Sequence, residues 1–248
     1  MPTRFDNSDS PEITFSVVGD VLAACLGCRG GRIPNSLASA RRILDRWKAT
    51  ASLLSPVTLA GPVEVFDFTQ GYDANRTLLA PYGIGRYDED RRGMYTSQLF
   101  RGETEPRTIH VGLDIGASEG TPVFAPATAS VWGKANLPAP GDYGGTLILK
   151  SEISDQDVSI FMLFGHLSKL STSRFEIGDI VMQGELLSWL GSEKENGGWN
   201  PHLHWQLSFL EPLKADLPGA VSKKNYELAK LVFPDPTVLI RGALNGWS

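Results

Sequence analysis

Hydrophobic spacing divides this chain into one helical stretch and a long series of short strands. Leu37, Ala40, Ile43, Leu44, Trp47 and Leu54 fall mostly three or four residues apart, with Arg41, Arg42, Asp45, Arg46 and Lys48 between them. That spacing predicts one amphipathic helix near Leu37–Thr50, with Asn35 or Ser36 as its N-cap and Pro56 as its stop. From Val57 the texture changes. Short apolar or alternating runs recur at Val63–Phe68, His110–Ile115, Thr121–Ala125, Thr128–Trp132, Thr146–Lys150, Val158–Phe164, Asp179–Val181, Glu185–Leu190 and His202–Phe209. Gly, Pro, Asn and Asp separate them, as in Pro138–Gly145 and Asn196–Gly198. This rhythm predicts a mainly β fold, an antiparallel sheet or sandwich with an open groove, carrying an N-terminal helical segment that packs outside the sheet. A last helical candidate, Lys223–Leu231, precedes Pro234 and Pro236. The pattern divides the chain into a polar tail and helix (1–56), a β domain (57–213) and a short helix with a tail (214–248).

Composition narrows the function classes. The 248 residues carry 23 Lys+Arg against 28 Asp+Glu, a net charge of −5. No basic run could follow a phosphate backbone, so no nucleic-acid partner is expected. No apolar run approaches about 18 residues, which excludes a spanning helix. Ile13–Cys25 has a faint signal-segment look, and Leu22-Ala-Ala-Cys25 matches a lipoprotein cleavage pattern. Asp6, Asp9 and Glu12 before it, and Asp20 within it, oppose that reading. A cytoplasmic location is therefore expected ahead of a periplasmic or lipoprotein one. Cys25-x-x-Cys28 has no second Cys pair and no following βαβ pattern, so it reads as two small apolar residues on a buried helix or loop.

The chain holds four histidines: His110, His166, His202 and His204. In an extended strand, His110 and Asp114 would face one way but stand about 13 Å apart. Joint metal ligation would need a bend, for which Gly112 is the flexible point. His202 and His204, two apart on a strand, point to one face about 6–7 Å apart. They suit either shared ligation or one ligand beside a neighbouring base. His166 stands where an apolar strand meets a polar turn. Alone it would be structural, and its weight comes from its company.

Together these residues resemble the LytM/lysostaphin-type zinc metallopeptidases, which cut peptidoglycan peptides. The resemblance rests on Arg107-x-x-His110-x-Gly-x-Asp114-Ile-x-Ala117-x-x-Gly120-Thr-Pro-Val123-x-Ala125, then Gly165-His-Leu-Ser168, Gly178-Asp-x-Val-x-x-Gly184 and Pro201-His-Leu-His204, in that order. It covers about Arg107 to Phe209. It implies one zinc per chain, held by His110, Asp114 and His204, with His166 and His202 as catalytic histidines that do not ligate. It implies an endopeptidase that hydrolyses peptide bonds in peptidoglycan cross-links or stem peptides through a metal-activated water. The spacing alone does not say which histidine of the 202/204 pair binds metal.

A finer likeness involves Gly85-Arg-Tyr-Asp-Glu-Asp90, Leu163-Phe-Gly-His166 and Asn196-Gly-Gly-Trp-x-Pro-His202. These are similar to a peptidase-like segment found fused to class-III, pyridoxal-phosphate aminotransferases. That likeness implies association with an aminotransferase-type partner and a substrate that need not be cell wall. Two other readings compete. Gly178-Asp-x-Val-x-x-Gly184 also occurs in biotinyl and lipoyl carriers, but Lys134 and Lys150 lack a carrier's flanks. A catalytically silent relative that binds glycan or a partner in the same groove would keep the fold, although here no ligand position is lost.

Overall fold

The computed structural model describes residues 13–73, 75, 79–102, 105–153 and 157–240. The polar residues 1–12, expected to be loosely attached, lie outside that set, as does the end of the C-terminal tail. Phe15–Val18 (β1) and Gly31–Pro34 (β2) pair antiparallel around a short helix, Asp20–Ala24 (α1). The hydrophobic pattern predicts no strand here. The signal-like run splits instead into a strand and a helix that bury Val18 and Ala23 and expose Val17, Val21 and Leu22. The Cys pair splits too: Cys25 is exposed at the end of α1 and Cys28 is buried, both as free thiols.

The predicted helix forms as Leu37–Ala51 (α2). Ser36 caps it, its hydroxyl accepting from the Ser39 amide at 3.2 Å. Ala40, Ile43, Leu44 and Trp47 are buried, each large side chain contributing about 1.5–3 kcal/mol. The chain turns at Ser52 in a left-handed conformation, so Leu54 falls beyond the helix and is exposed.

The strands follow in order. Val63–Val65 (β3), Tyr82–Gly85 (β4), Ile109–His110 (β5), Leu113–Gly116 (β6) and Pro122–Phe124 (β7) precede three long members: Ala129–Leu137 (β8), Gly144–Ile153 (β9) and Val158–Leu167 (β10). A turn of helix, Ser171–Arg174 (α3), then Ile180–Val181 (β11), Leu186–Trp189 (β12), His202–Ser208 (β13) and Ala220–Val221 (β14) come next. Tyr226–Val232 (α4) and Thr237–Ile240 (α5) close the described chain. The main sheet has the order β11-β8-β9-β10-β13-β6-β4-β3. Its pairs are antiparallel except one: β3 joins β4 in parallel at the edge, which corrects the all-antiparallel expectation. The predicted strand to Phe68 also stops early. Asp67 accepts from the Thr69 amide at 3.0 Å and caps a short 3₁₀ turn, Phe68–Gln70.

β8 alternates buried and half-buried positions, whereas β10 is buried almost throughout, so its nearly continuous apolar sequence is covered on both faces. One hydrophobic cluster runs from Val18 to Ile240. α2 lies against α4 and α5, and Lys48 donates to the Val238 carbonyl at 3.0 Å. Cys28 makes a β-bridge to Pro212. No helix among the described residues is long and apolar enough to cross a membrane.

Candidate metal centre

The site forms where β5, β6, β10 and β13 meet. β6 and β13 are hydrogen-bonded neighbours, with Asp114 opposite His204 and Gly116 opposite His202. The strand rule for His-x-His therefore brings both rings to the face that carries Asp114. The segment His110–Ile115 is not one strand. It breaks at Val111-Gly112, and that break brings His110 back to Asp114. Gly112 supplies room rather than flexibility: a Cβ there would stand 2.3 Å from Cε1 of His204. His110, Asp114 and His204 are all buried.

The ligand-capable atoms form a nearly equilateral triangle. His110 Nε2 lies 3.1 Å from His204 Nδ1 and 3.2 Å from Asp114 Oδ1, and His204 Nδ1 lies 3.0 Å from Asp114 Oδ1. The other end of each ring fixes its proton. His110 Nδ1 faces the Arg86 carbonyl at 2.8 Å; a carbonyl only accepts, so Nδ1 carries the hydrogen and Nε2 is bare. His204 Nε2 faces Gln206 Oε1 at 3.0 Å, and the Gln206 amide nitrogen donates to the Pro218 carbonyl at 3.4 Å. Nε2 of His204 therefore carries its hydrogen and Nδ1 is bare. Burial pushes His110 down to about 4, with Arg91's charge acting the same way, so the ring is neutral. Burial alone would raise the Asp114 carboxyl. His110 and the charge of Arg91 outweigh it and hold Asp114 well below the usual carboxylate range.

Three lone pairs thus converge with no proton between them. That arrangement is repulsive unless a cation sits among them. Donor atoms around a tetrahedral zinc with bonds of about 2.0–2.2 Å stand roughly 3.3–3.6 Å apart, close to the edges of this triangle. The donor set fits zinc.

The other two histidines face the same point. His166 Nδ1 donates to the Asn196 carbonyl at 2.8 Å, and His202 Nδ1 to the Asn200 carbonyl at 2.7 Å. Each therefore presents a bare Nε2. His202 Nε2 is 4.0 Å from Asp114 Oδ1, farther than either ligand atom. The rings of His166 and His202 have centroids 4.2 Å apart. Burial lowers the pKa of both, and for His166 the neighbouring His202 and His204 add to the effect. Both imidazoles are neutral bases at neutral pH.

His166 holds its place at a backbone cost. It adopts φ 61° inside β10, where the register with β9 shifts between Phe164 and Leu167. A buried non-glycine residue in that region costs on the order of 1–3 kcal/mol, and such outliers cluster at functional sites. The bulge is pinned from both sides: the His166 amide donates to Tyr143, and its carbonyl accepts from Gly191 at 2.9 Å. The loop 191–201 that holds both Nδ1 atoms is organised by buried Asn196. Its Oδ1 accepts from the Gly198 and Trp199 amides, and its Nδ2 donates to the Trp199 carbonyl at 2.8 Å. Gly197, with φ 88°, is packed so closely that a Cβ would meet the Asp142 carbonyl at 1.9 Å.

Several contributors carry no sequence motif. Arg91, fully buried, donates to Asp114 Oδ2 at 2.6 Å, to Glu89 Oε2 at 2.9 Å, to the Tyr95 hydroxyl at 3.0 Å and to the Arg86 carbonyl at 3.2 Å. Burial works against its charge, but Tyr95, Asp114 and Glu89 keep it protonated. Tyr143 packs its ring 5.4 Å from His166 and 5.1 Å from His204, centroid to centroid, and donates to the Leu217 carbonyl. Gln206 could have been found by alternation, since it follows His204 on the same strand face. Arg91 could not, because the carboxylate it holds, Asp114, lies 23 residues further along the chain and no local pattern links the two.

Residues 108–215 match Peptidase family M23. An uncharacterized metalloprotease of Haemophilus influenzae is 31% identical over 148 residues, which cover 56% of this chain and 29% of that protein. The chain thus spans under a third of this curated relative. Among solved structures, the catalytic domain of the prophage-encoded M23 protein EnpA from Enterococcus faecalis is 21% identical, covering 59% of this chain and 92% of that one, with a TM-score of 0.40. Lysostaphin from Staphylococcus simulans is 24% identical, covering 56% of this chain and 47% of that one, with a TM-score of 0.37. Superpositions this loose carry no argument about the site. The resemblance to LytM/lysostaphin-type peptidases is borne out, on the family match, for residues 108–215.

Proposed function

We propose that residues 108–215, being of the LytM/lysostaphin peptidase type, make this chain a zinc-dependent endopeptidase that hydrolyses peptide bonds in peptidoglycan cross-links or stem peptides. His110, Asp114 and His204 would hold one zinc. The observation that carries the reading is the convergence of three proton-free donor atoms at mutual distances of 3.0–3.2 Å. A bound zinc supplies a Lewis acid that lowers the pKa of a water toward about 7 and polarises a carbonyl.

The remaining work falls to this chain's side chains. His166 and His202 present neutral Nε2 atoms and accept a proton from the attacking water. Once protonated, either ring donates to the developing oxyanion or to the leaving amine. Their Nδ1 hydrogens stay on the Asn196 and Asn200 carbonyls, so the rings turn little as the proton moves. Arg91 keeps Asp114 ionised and engages its second oxygen, leaving Oδ1 to face the cation. The finer likeness implies an aminotransferase-type partner, which the comparisons do not support.

The test is metal analysis of the purified protein, then digestion of peptidoglycan with zinc removed and restored. About one zinc per chain and zinc-dependent release of peptide fragments are expected. Stoichiometric zinc without hydrolysis of any wall peptide would favour the silent, glycan- or partner-binding reading.

A further inference from the structure

Beside His202 lies a cavity of about 390 Å³ that also reaches Asp114. Its walls are Phe66, Phe68, Tyr72 and Trp199. Three of these four residues precede the stretch that matches the peptidase family. We propose that this cavity is the subsite for a bulky apolar side chain of the substrate, next to the bond that is cut. The inference rests on the peptidase reading for the identity of the chain that carries the side chain.

The walls are an open aromatic chain. Phe66 and Phe68 have centroids 5.4 Å apart, Phe68 and Tyr72 6.4 Å, and Tyr72 meets Trp199 edge-on at 5.6 Å. All four are half-buried, each using part of its surface on a neighbour and leaving the rest to the cavity. Covering that surface with an apolar group is favourable, and clustered aromatic surface of this kind marks binding sites. The floor is built without side chains. Gly83 and Gly116 are opposite one another on β4 and β6 and line the cavity. A Cβ on Gly83 would stand 2.3 Å from the Phe66 ring, so the glycine lets that wall settle.

Charge and polarity select the occupant. Among the described residues no lysine or arginine lines the cavity, so these residues offer a carboxylate no cationic partner. Of its two carboxylates, Asp114 belongs to the ligand triangle and Asp73 is exposed. A sugar would need several converging donors and acceptors, and the lining is predominantly apolar.

The walls are also rigid and tied to the reacting groups. Glu89, buried, accepts from the Phe68 amide at 3.1 Å while holding Arg86 and Arg91. The Tyr72 hydroxyl accepts from the Asn200 amide at 3.2 Å. Asn200 in turn holds His202 through its carbonyl. Filling the cavity therefore presses on the residue that orients a catalytic histidine.

The test uses blocked tetrapeptides Ala-X-Gly-Ala and Ala-Gly-X-Ala, with X as Gly, Ala, Leu or Phe. Binding is measured on the full chain without zinc, and hydrolysis on the zinc-loaded chain. In one of the two series, Leu or Phe should bind at least about 10-fold more tightly than Gly, the typical worth of filling an apolar pocket. Trp199→Ala should collapse that preference, read as the ratio of Phe-peptide to Gly-peptide affinity so that any general loss of binding cancels. Tyr72→Phe keeps the wall and loses the hydroxyl; it should lower kcat about 2–10-fold at constant KM, the worth of one hydrogen bond. Equal binding of Gly and Phe peptides in both series would overturn the subsite. So would preferential binding of a peptide-free amino-sugar disaccharide, which would reassign the cavity to glycan. If no peptide is hydrolysed, the peptidase reading fails, while the zinc-free binding series still judges the cavity.

Discussion

Residues 108–215 and the segment before them, 57–105, meet at Asp114 and contribute in opposite ways. The first supplies every atom of the ligand triangle and both free histidine Nε2 atoms. The second supplies no ligand atom, yet it sets the state of two of the three. Arg86 fixes the His110 proton with a main-chain carbonyl, and Arg91 occupies the far oxygen of Asp114. Glu89 holds Arg86, Arg91 and the Phe68 amide at once. The reacting groups sit on adjacent sheet strands, where position follows from register. The His110 proton, the charge on Asp114 and three of the four aromatic walls depend on a segment that only folding brings near, while Gln206, Asn196 and Asn200 fix the other three rings from within 108–215. The chemistry and a large share of its tuning are thus carried by different parts of one core.

The sharpest way to break this comparison is inside the histidine pair. His204→Ala should lose the metal and all hydrolysis, since two remaining ligands hold zinc poorly. His202→Ala should keep zinc and lower turnover by about 10²–10⁴, the worth of a positioned acid or base. Zinc content and rate, measured on both variants together, decide the matter. Equal zinc loss would make the two histidines joint ligands. Full zinc retention in His204→Ala would remove the proposed centre.

The next effect belongs to the earlier segment. Arg91→Met leaves Glu89 and Asp114 buried with an excess of negative charge and empties the hydrogen bonds to Tyr95 and the Arg86 carbonyl. Breaking such a network from one side costs about 3–5 kcal/mol. Urea unfolding of the zinc-free protein should show a loss of that order. A loss below about 1 kcal/mol, the range of an exposed pair, would mean that the segment does not brace the centre. A smaller effect is expected at Gln206. Gln206→Leu removes the acceptor that fixes the His204 tautomer, and apparent zinc affinity should fall about 10–100-fold. Competition with a chromophoric chelator measures it, and unchanged affinity would show that His204 keeps its tautomer without Gln206.

What the sequence made legible follows the same division. Period-two alternation predicted most strands, and the spacing of Leu37 to Trp47 predicted α2 with its Ser36 cap. Strand geometry also required a bend between His110 and Asp114, and the chain does break there. The reason for Gly112 was different, because the crowding ring of His204 comes from another strand. The parallel edge pair of β3 and β4 was hidden, since strand direction leaves no local mark on a three-residue strand such as Val63-Glu64-Val65. The pairing of β1 and β2 was hidden because β1 lies in the signal-like run and β2, Gly31-Arg-Ile-Pro34, is too short and mixed to show a strand pattern. The roles of Arg91 and Glu89 were hidden for a third reason: charged residues in a mixed run look solvated until their partners are known. The resemblance named five site residues, and the fold brings those five around one point. It gave no role to the groups that fix their protons.

The smallest effect tests whether the N-terminal flank shares the core of the β sheet. Cys25 and Cys28 stand three residues apart, but the fold treats them differently. Cys25 is exposed. Cys28 is buried, its backbone bridges to Pro212, and its sulfur lies 3.9 Å from the Ser208 hydroxyl at the end of β13. Burial pushes the Cys28 thiol up to about 12, against a small opposing pull from Ser208. The thiolate is the reactive form, so Cys28 is protected by both access and protonation. Iodoacetamide at pH 8 should label one thiol per native chain rapidly, at Cys25. The second should react only at the rate at which the flank detaches from β13, and at once in denaturant. Mass spectrometry of timed samples separates the two sites. Rapid labelling of both in the native chain would show residues 13–34 opening independently, with the sheet holding together without them. Slow labelling of Cys28 that matches global unfolding would place the flank, the segment 57–105 and the metal centre in one cooperative unit.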